Sequence, residues 1–111
     1  MKAIIYCDPE SPIGRASVQT LEIIVPKEYA MITTSVPRRE LHSGEYGMIV
    51  DTTTIGKKPG ETGTVDSFLR TMTLDPQPEV VRVYNPTTCV LDILKVVSQY
   101  ANKNNTSQGG E

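Results

Sequence analysis

Short apolar runs alternate along the chain with segments of helical periodicity. The runs have the length and β-branched content of buried strands, and they lie at positions 2–8, 29–35, 45–52 and 79–85. Helices are predicted between and after them, at positions 11–24, 37–41, 64–74 and 86–102. Ser11 and Thr64 carry side chains favoured at helix N-caps, and Gly44 is suited to end the second helix.

The segment 21–35 admits two interpretations. In one, the first helix runs to Ile24 and a strand follows it. In the other, residues 21–25 form a strand, and Pro26 and Lys27 turn the chain into a β-hairpin. The helical spacing of the residues that precede Ile24 favours the helix.

Alternating strands and helices predict an α/β fold, a small and mostly parallel sheet of about four strands with helices on both faces. One domain is predicted over residues 1–102, followed by a disordered, polar and glycine-rich tail at 103–111. The loop 54–63 contains three glycines and is predicted to be the most mobile internal segment.

Composition, charge and missing motifs argue against several classes of protein. A net charge of −2 and a pI near 5.4 argue against general nucleic-acid binding. No run approaches the roughly 20 apolar residues of a membrane span, and the first strand is too short for a signal peptide, so a cytoplasmic location without membrane contact is expected. Two cysteines and one histidine provide neither a disulfide framework nor a zinc site. The chain also lacks the common phosphate-binding loops and the G-x-S-x-G motif, which favours a protein that is not an enzyme.

Small polar clusters follow three of the predicted strands. Because parallel strands end at one edge, where α/β sheets bind ligands, these side chains are the candidate ligand-binding set. Its members are Cys7, Asp8, Ser11, Asp51, Thr52, Thr53, Asn85, Thr87 and Thr88, together with Arg15, which lies across the first loop from Cys7. Within the set, Asp8 and Asp51 are oxygen donors suited to a divalent metal such as Mg²⁺, and aspartates in such positions also cap backbone amides. Both roles remain open for the pair.

Two stretches resemble a known family. The sequence AIIYCDPESPIGRASVQTL resembles the opening of a response-regulator receiver domain, a flavodoxin-like fold, and EYGMIVDTT resembles its third strand. The resemblance puts Asp51 at the phosphoryl-accepting position and Asp8 at one of the two metal-side acids. Cys7 stands where the family has the other acid. Two alignments remain open for the end of the chain: VYNPTT resembles the family's Lys-Pro element, with Asn85 in place of the lysine, or VVRVYN corresponds to the fourth strand and the last unit is absent. One strand–helix unit of the family is missing.

The resemblance implies a degenerate, shortened receiver-like domain, a regulatory protein-interaction module that has a protein partner and no catalytic activity. The alternative is a small nucleotide- or phosphate-binding protein. In the stronger version of this hypothesis, the protein also cleaves a nucleotide. The hydroxyls and helix N-termini at the strand ends suit such a phosphate-containing ligand. No cofactor is expected apart from the Mg²⁺ that the acid pair admits, and a homo-oligomer is compatible with both hypotheses.

Overall fold

Four parallel strands form one sheet in the order β2-β1-β3-β4. In the computed structural model, which describes the backbone of residues 2–109 and side chains as far as Lys103, the strands are β1 (Lys2–Tyr6), β2 (Ala30–Thr33), β3 (Tyr46–Asp51) and β4 (Glu79–Arg82). The parallel sheet confirms the predicted fold class. The strand order is that of a flavodoxin-like sheet without its fifth strand.

Four helices connect and follow the strands: α1 (Pro12–Ile24), α2 (Arg38–His42), α3 (Thr64–Leu69) and α4 (Cys89–Gly109). The helix predicted before β2 is confirmed, and the β-hairpin interpretation of 21–35 is wrong. The physical reason is local, because Ser11 caps α1 by accepting a hydrogen bond from the Gly14 amide. The buried residues Gly14, Ser17 and Leu21 then recur at helical spacing.

The sheet buries a different set of side chains on each face. On one face, Ile5 and Val50 pack with Leu21 of α1 and Ile93 of α4. On the other face, the same strands contribute residues of the opposite parity, which pack against α2 and α3 through Leu41, Val65, Phe68 and Leu69. This alternation is the period-2 geometry of a strand that is covered on both sides, and it confirms helices on both faces.

Several boundaries differ from the sequence prediction. Gly63, and not Thr64, is the N-cap of α3. Helix α4 continues to Gly109, whereas the sequence prediction ended it at residue 102 and placed a disordered tail at 103–111. Each residue added to an existing helix gains a backbone hydrogen bond. Residues 110 and 111 of that tail lie outside the described residues.

The loop 54–63, predicted to be mobile, is anchored to β4 over its first residues. Thr54 is fully buried, and its hydroxyl donates a hydrogen bond to the Val83 carbonyl at 2.7 Å. The Gly56 amide donates to the Tyr84 carbonyl at 2.8 Å. The mobility of the exposed residues later in this loop stays a prediction. Across residues 2–109, no helix combines the length and apolar character required to cross a membrane.

Candidate functional site

The predicted ligand-binding residues separate into two groups at the carboxyl edge of the sheet. Asp8, Ser11, Thr52 and Thr53 line one small cavity of about 70 Å³. Asn85 lines a different space, a groove of about 440 Å³ between β4 and α4. The structure therefore brings together the candidates that follow β1 and β3, and it leaves those that follow β4 apart.

Asp51, at the end of β3, is fully buried and hydrogen-bonded through both carboxylate oxygens. Oδ1 accepts from the Thr53 amide at 2.8 Å and from the Thr53 hydroxyl at 2.6 Å. Oδ2 accepts from the Val65 amide, in the first turn of α3, at 3.1 Å. The Thr53 oxygen in turn accepts from the Thr64 amide at 2.9 Å. The acid thus satisfies amides that the start of a helix leaves without a partner.

Gly63 closes the space above this carboxylate. A Cβ atom at position 63 would lie 2.5 Å from the Thr53 hydroxyl oxygen and 2.6 Å from Asp51 Oδ2. These distances are shorter than any van der Waals contact, so a side chain at this position would push α3 away from β3. The glycine is what allows the backbone to approach the acid.

The acid pair does not fit an Mg²⁺ site. Mg²⁺ takes an octahedron of oxygen ligands and usually retains several waters, whereas Asp51 is inaccessible to solvent and bound by three donors of the chain. Asp8 Oδ1 accepts from the Glu10 amide at 2.9 Å. In the part of the chain that the structure describes, no three His, Cys, Asp or Glu side chains are grouped to hold a metal.

The loop after β1 is likewise folded on itself. The Ser11 oxygen accepts from the Gly14 amide at 3.3 Å, and Arg15 donates from Nη1 to the Pro9 carbonyl at 3.2 Å. Gly14 packs directly on this loop, since a Cβ there would lie 2.2 Å from the Asp8 carbonyl oxygen. Ser11 and Arg15 therefore act locally, at the start of α1.

Cys7 is a core residue. Its side chain is fully buried, and burial raises the pKa of the thiol more than the nearby Thr52 hydroxyl lowers it. A thiol with a raised pKa is a poor nucleophile and a poor metal ligand. Thr52 is also buried, and its hydroxyl donates to the Tyr6 carbonyl at 2.8 Å. Thr52 thus ties the end of β3 to β1, and the Cys7 amide ties β1 to the Thr33 carbonyl of β2.

The candidates that follow β4 form the start of α4. Asn85 Oδ1 accepts from the Thr87 amide at 2.8 Å, and the Thr88 hydroxyl donates to Asp92 Oδ2 at 2.8 Å. Asn and Thr favour such local bonds before helices. Asn85 and Thr87 remain exposed, so they are the members of this group that a ligand reaches most easily.

An ion pair that sequence reasoning missed supports the same edge. Arg82 donates from Nε to Asp66 Oδ2 at 3.0 Å and from Nη2 to Oδ1 at 2.5 Å. Asp66 Oδ2 also accepts from the Gly63 amide at 3.2 Å. The hydrogen bonds from Arg82 hold the pKa of Asp66 below its usual value. Asp66 makes only the half of a capping box in which the N3 carboxylate accepts from the N-cap amide, because Gly63 has no side chain to complete it. Its partner Arg82 has no signal in the local sequence.

Replacing Asp51 by Asn is expected to lower the free energy of unfolding by about 1–3 kcal/mol, because an amide NH₂ would face a donor that the carboxylate now satisfies. The matched control is Asp8→Asn, which alters a half-buried carboxylate and is expected to cost less than about 1 kcal/mol. Urea denaturation of the two variants measures both. Equal effects would show that Asp51 is not the stronger structural group.

Replacing Asp66 by Asn is expected to cost about 1 kcal/mol at neutral pH, a figure discounted for solvent screening because the Arg82 side chain is 33% exposed. Since the pKa of Asp66 is lowered in the folded protein, its stabilisation is present above the unfolded-state value of about 3.9 and is lost as the pH falls through the lower folded-state value. Urea denaturation of wild type and variant across pH 7 to 3 checks this. A stability difference that does not shrink below about pH 4 would contradict it.

Comparisons of the chain with protein-family models, with curated proteins and with solved structures each give no match. The interpretation of the site therefore depends on its own geometry and chemistry.

Proposed function

We propose that this chain is a non-catalytic regulatory module that binds a partner protein along the open edge of β4. The observation that carries the proposal is the unpaired edge itself. Within residues 2–109, β4 has β3 on one side and no strand on the other. The free side corresponds to the fifth strand of a flavodoxin-like sheet.

Backbone geometry makes this edge suitable for an added strand. The Val83 amide donates to the Asp51 carbonyl at 3.2 Å, so position 83 points inward to β3. Alternation along the strand then directs the amide and carbonyl groups of Val80 and Arg82 outward. Such groups pair with an extended segment of another chain in β-strand addition.

The groove beside the edge supports the same mode of binding. Its wall includes the half-buried side chains of Val81 on β4 and Val96 on α4, and its rim carries the exposed Lys95 and Gln99. An added strand would place every second side chain toward α4. The partner segment is therefore extended and has apolar residues at alternate positions.

The carboxyl edge supports a role without catalysis. A phosphoryl group must reach an accepting aspartate while positive charge neutralises its oxygens. Asp51 is fully buried and already bonded, and the cavity near it measures about 70 Å³. This cavity is lined by Asp8, and no lysine or arginine is among its described lining residues. The alternative of a phosphate-containing ligand thus has less support than the protein partner.

Incubation with acetyl phosphate and Mg²⁺ is expected to leave the intact mass of the protein unchanged, because the buried Asp51 cannot be reached. Mass spectrometry measures this, with an active receiver domain as the positive control. Addition of one phosphoryl group that hydroxylamine removes, and that is absent from Asp51→Asn, would overturn the non-catalytic assignment.

Selection from a display library of short random peptides tests the binding mode. The expected binders carry apolar residues at alternate positions, and Val80→Pro is expected to weaken them about tenfold or more, because proline removes an outward amide donor without breaking the inner ladder.

The matched control for this selection is Ile32→Pro on the opposite edge strand. The Cys7 amide bonds to the Thr33 carbonyl, so Ile32 also points outward. Circular dichroism verifies that both variants fold. Absence of enriched peptides, or equal weakening by both prolines, would contradict binding at β4.

A further inference from the structure

A second concave surface lies at the amino edge of the sheet, opposite the candidate site. It is a cleft of about 410 Å³, here called the amino-edge cleft, between the end of α2, the start of β3 and the segment 73–78 that precedes β4. Its volume falls in the range of about 300–1,000 Å³ that is typical of small-ligand sites. We propose that the amino-edge cleft binds a small organic amine that carries an aromatic ring.

The side chains of His42 and Asp75 supply hydrogen-bond acceptors to the cleft, beside the Thr73 hydroxyl and the Gln77 amide, which both donate and accept. His42 Nδ1 lies 2.8 Å from the Arg38 carbonyl oxygen. A carbonyl only accepts, so Nδ1 carries the hydrogen and Nε2 of the neutral ring is an acceptor. The Tyr46 hydroxyl donates to the sulfur of Met31, which lines the separate cleft beside β2, so this hydroxyl is directed away from the ligand. The exposed Asp75 carboxylate and the Nε2 atom of His42 complement an ammonium, which has donors and no acceptor.

The charges around the cleft favour the same ligand. Asp75 lines it, and no lysine or arginine is among its described lining residues. Burial first, and then the negative charges of Glu45 and Glu40, raise the pKa of the Tyr46 hydroxyl. Lys2 pairs with Tyr46 in the sheet register, but it lines a separate cleft toward β2.

The walls account for the apolar part of the ligand. Leu41 is buried, and Leu74 and Pro78 are half-buried in the lining. The ring of Tyr46 and the ring of Tyr100 on α4 also line the cleft. Aromatic faces attract cations that lie within about 6 Å of them. A ring held against the apolar wall, with an ammonium directed to Asp75 and His42, uses both kinds of surface.

Titration with three ligands of similar shape tests the proposal: phenethylamine, neutral 2-phenylethanol and anionic 3-phenylpropanoate. Amide chemical shifts report affinity and location together. We expect phenethylamine to bind with a dissociation constant on the order of 1 mM, typical of so small a ligand. The neutral analogue is expected to bind roughly fivefold more weakly and the anion more weakly still. Shifts should concentrate at Leu41–Gly47 and 73–78.

Asp75→Asn is expected to weaken phenethylamine roughly fivefold and to leave 2-phenylethanol unchanged, because only the amine uses the carboxylate. The matched control is Glu10→Gln, an exposed residue that removes the same charge at the opposite edge of the sheet. Equal affinity for the three ligands, an equal effect of the two variants, or no saturable binding of phenethylamine would overturn the proposal. Because the cleft lies apart from the β4–α4 groove, each of these outcomes is independent of the peptide selection.

Discussion

The hydrogen bonds to the buried carboxylate of Asp51 are the contacts on which the geometry of the sheet's carboxyl edge depends. A buried charge costs several kcal/mol unless hydrogen bonds replace its hydration. The chain supplies that replacement through the Thr53 amide and hydroxyl and the Val65 amide. Because these donors come from both ends of the loop 54–63, satisfying one acid also fixes where α3 begins. The same hydrogen bonds set the course of the loop, so that the Thr54 hydroxyl reaches the Val83 carbonyl.

Periodicity within each segment predicted the order of strands and helices but not their bounds, and the alternation of the two predicted the parallel sheet. The capping of α1 by Ser11 was predictable for the same reason. The role of Asp51 was not decidable from sequence, since its donor Val65 lies 14 positions away and becomes a partner only after the loop closes. The pairing of Asp66 with Arg82 spans 16 positions and joins α3 to β4, so no local pattern contains it.

Ligands in open α/β sheets usually bind beyond the carboxyl ends of the strands, where the connections diverge. In this chain the α3 connection fills that space instead, because Gly63 allows the backbone to lie on the carboxylate of Asp51. The larger concave surfaces lie elsewhere, along the open β4 edge, at the amino edge and beside β2. A rule based on topology alone locates the polar side chains correctly but does not reveal that they are already bonded to one another.

The open edge of β4 also has to avoid indiscriminate pairing, and its sequence limits that risk. Pro78 precedes the strand, Glu79 places a charge at its start, and the Gly56 amide occupies the Tyr84 carbonyl beyond its end. Short strands, prolines and charges are the usual means by which edges resist aggregation. With outward backbone groups confined to Val80 and Arg82, backbone pairing alone offers little binding energy. For the proposed partner, most of the affinity would therefore have to come from side chains that enter the groove beside α4, and such binding would be selective for particular sequences.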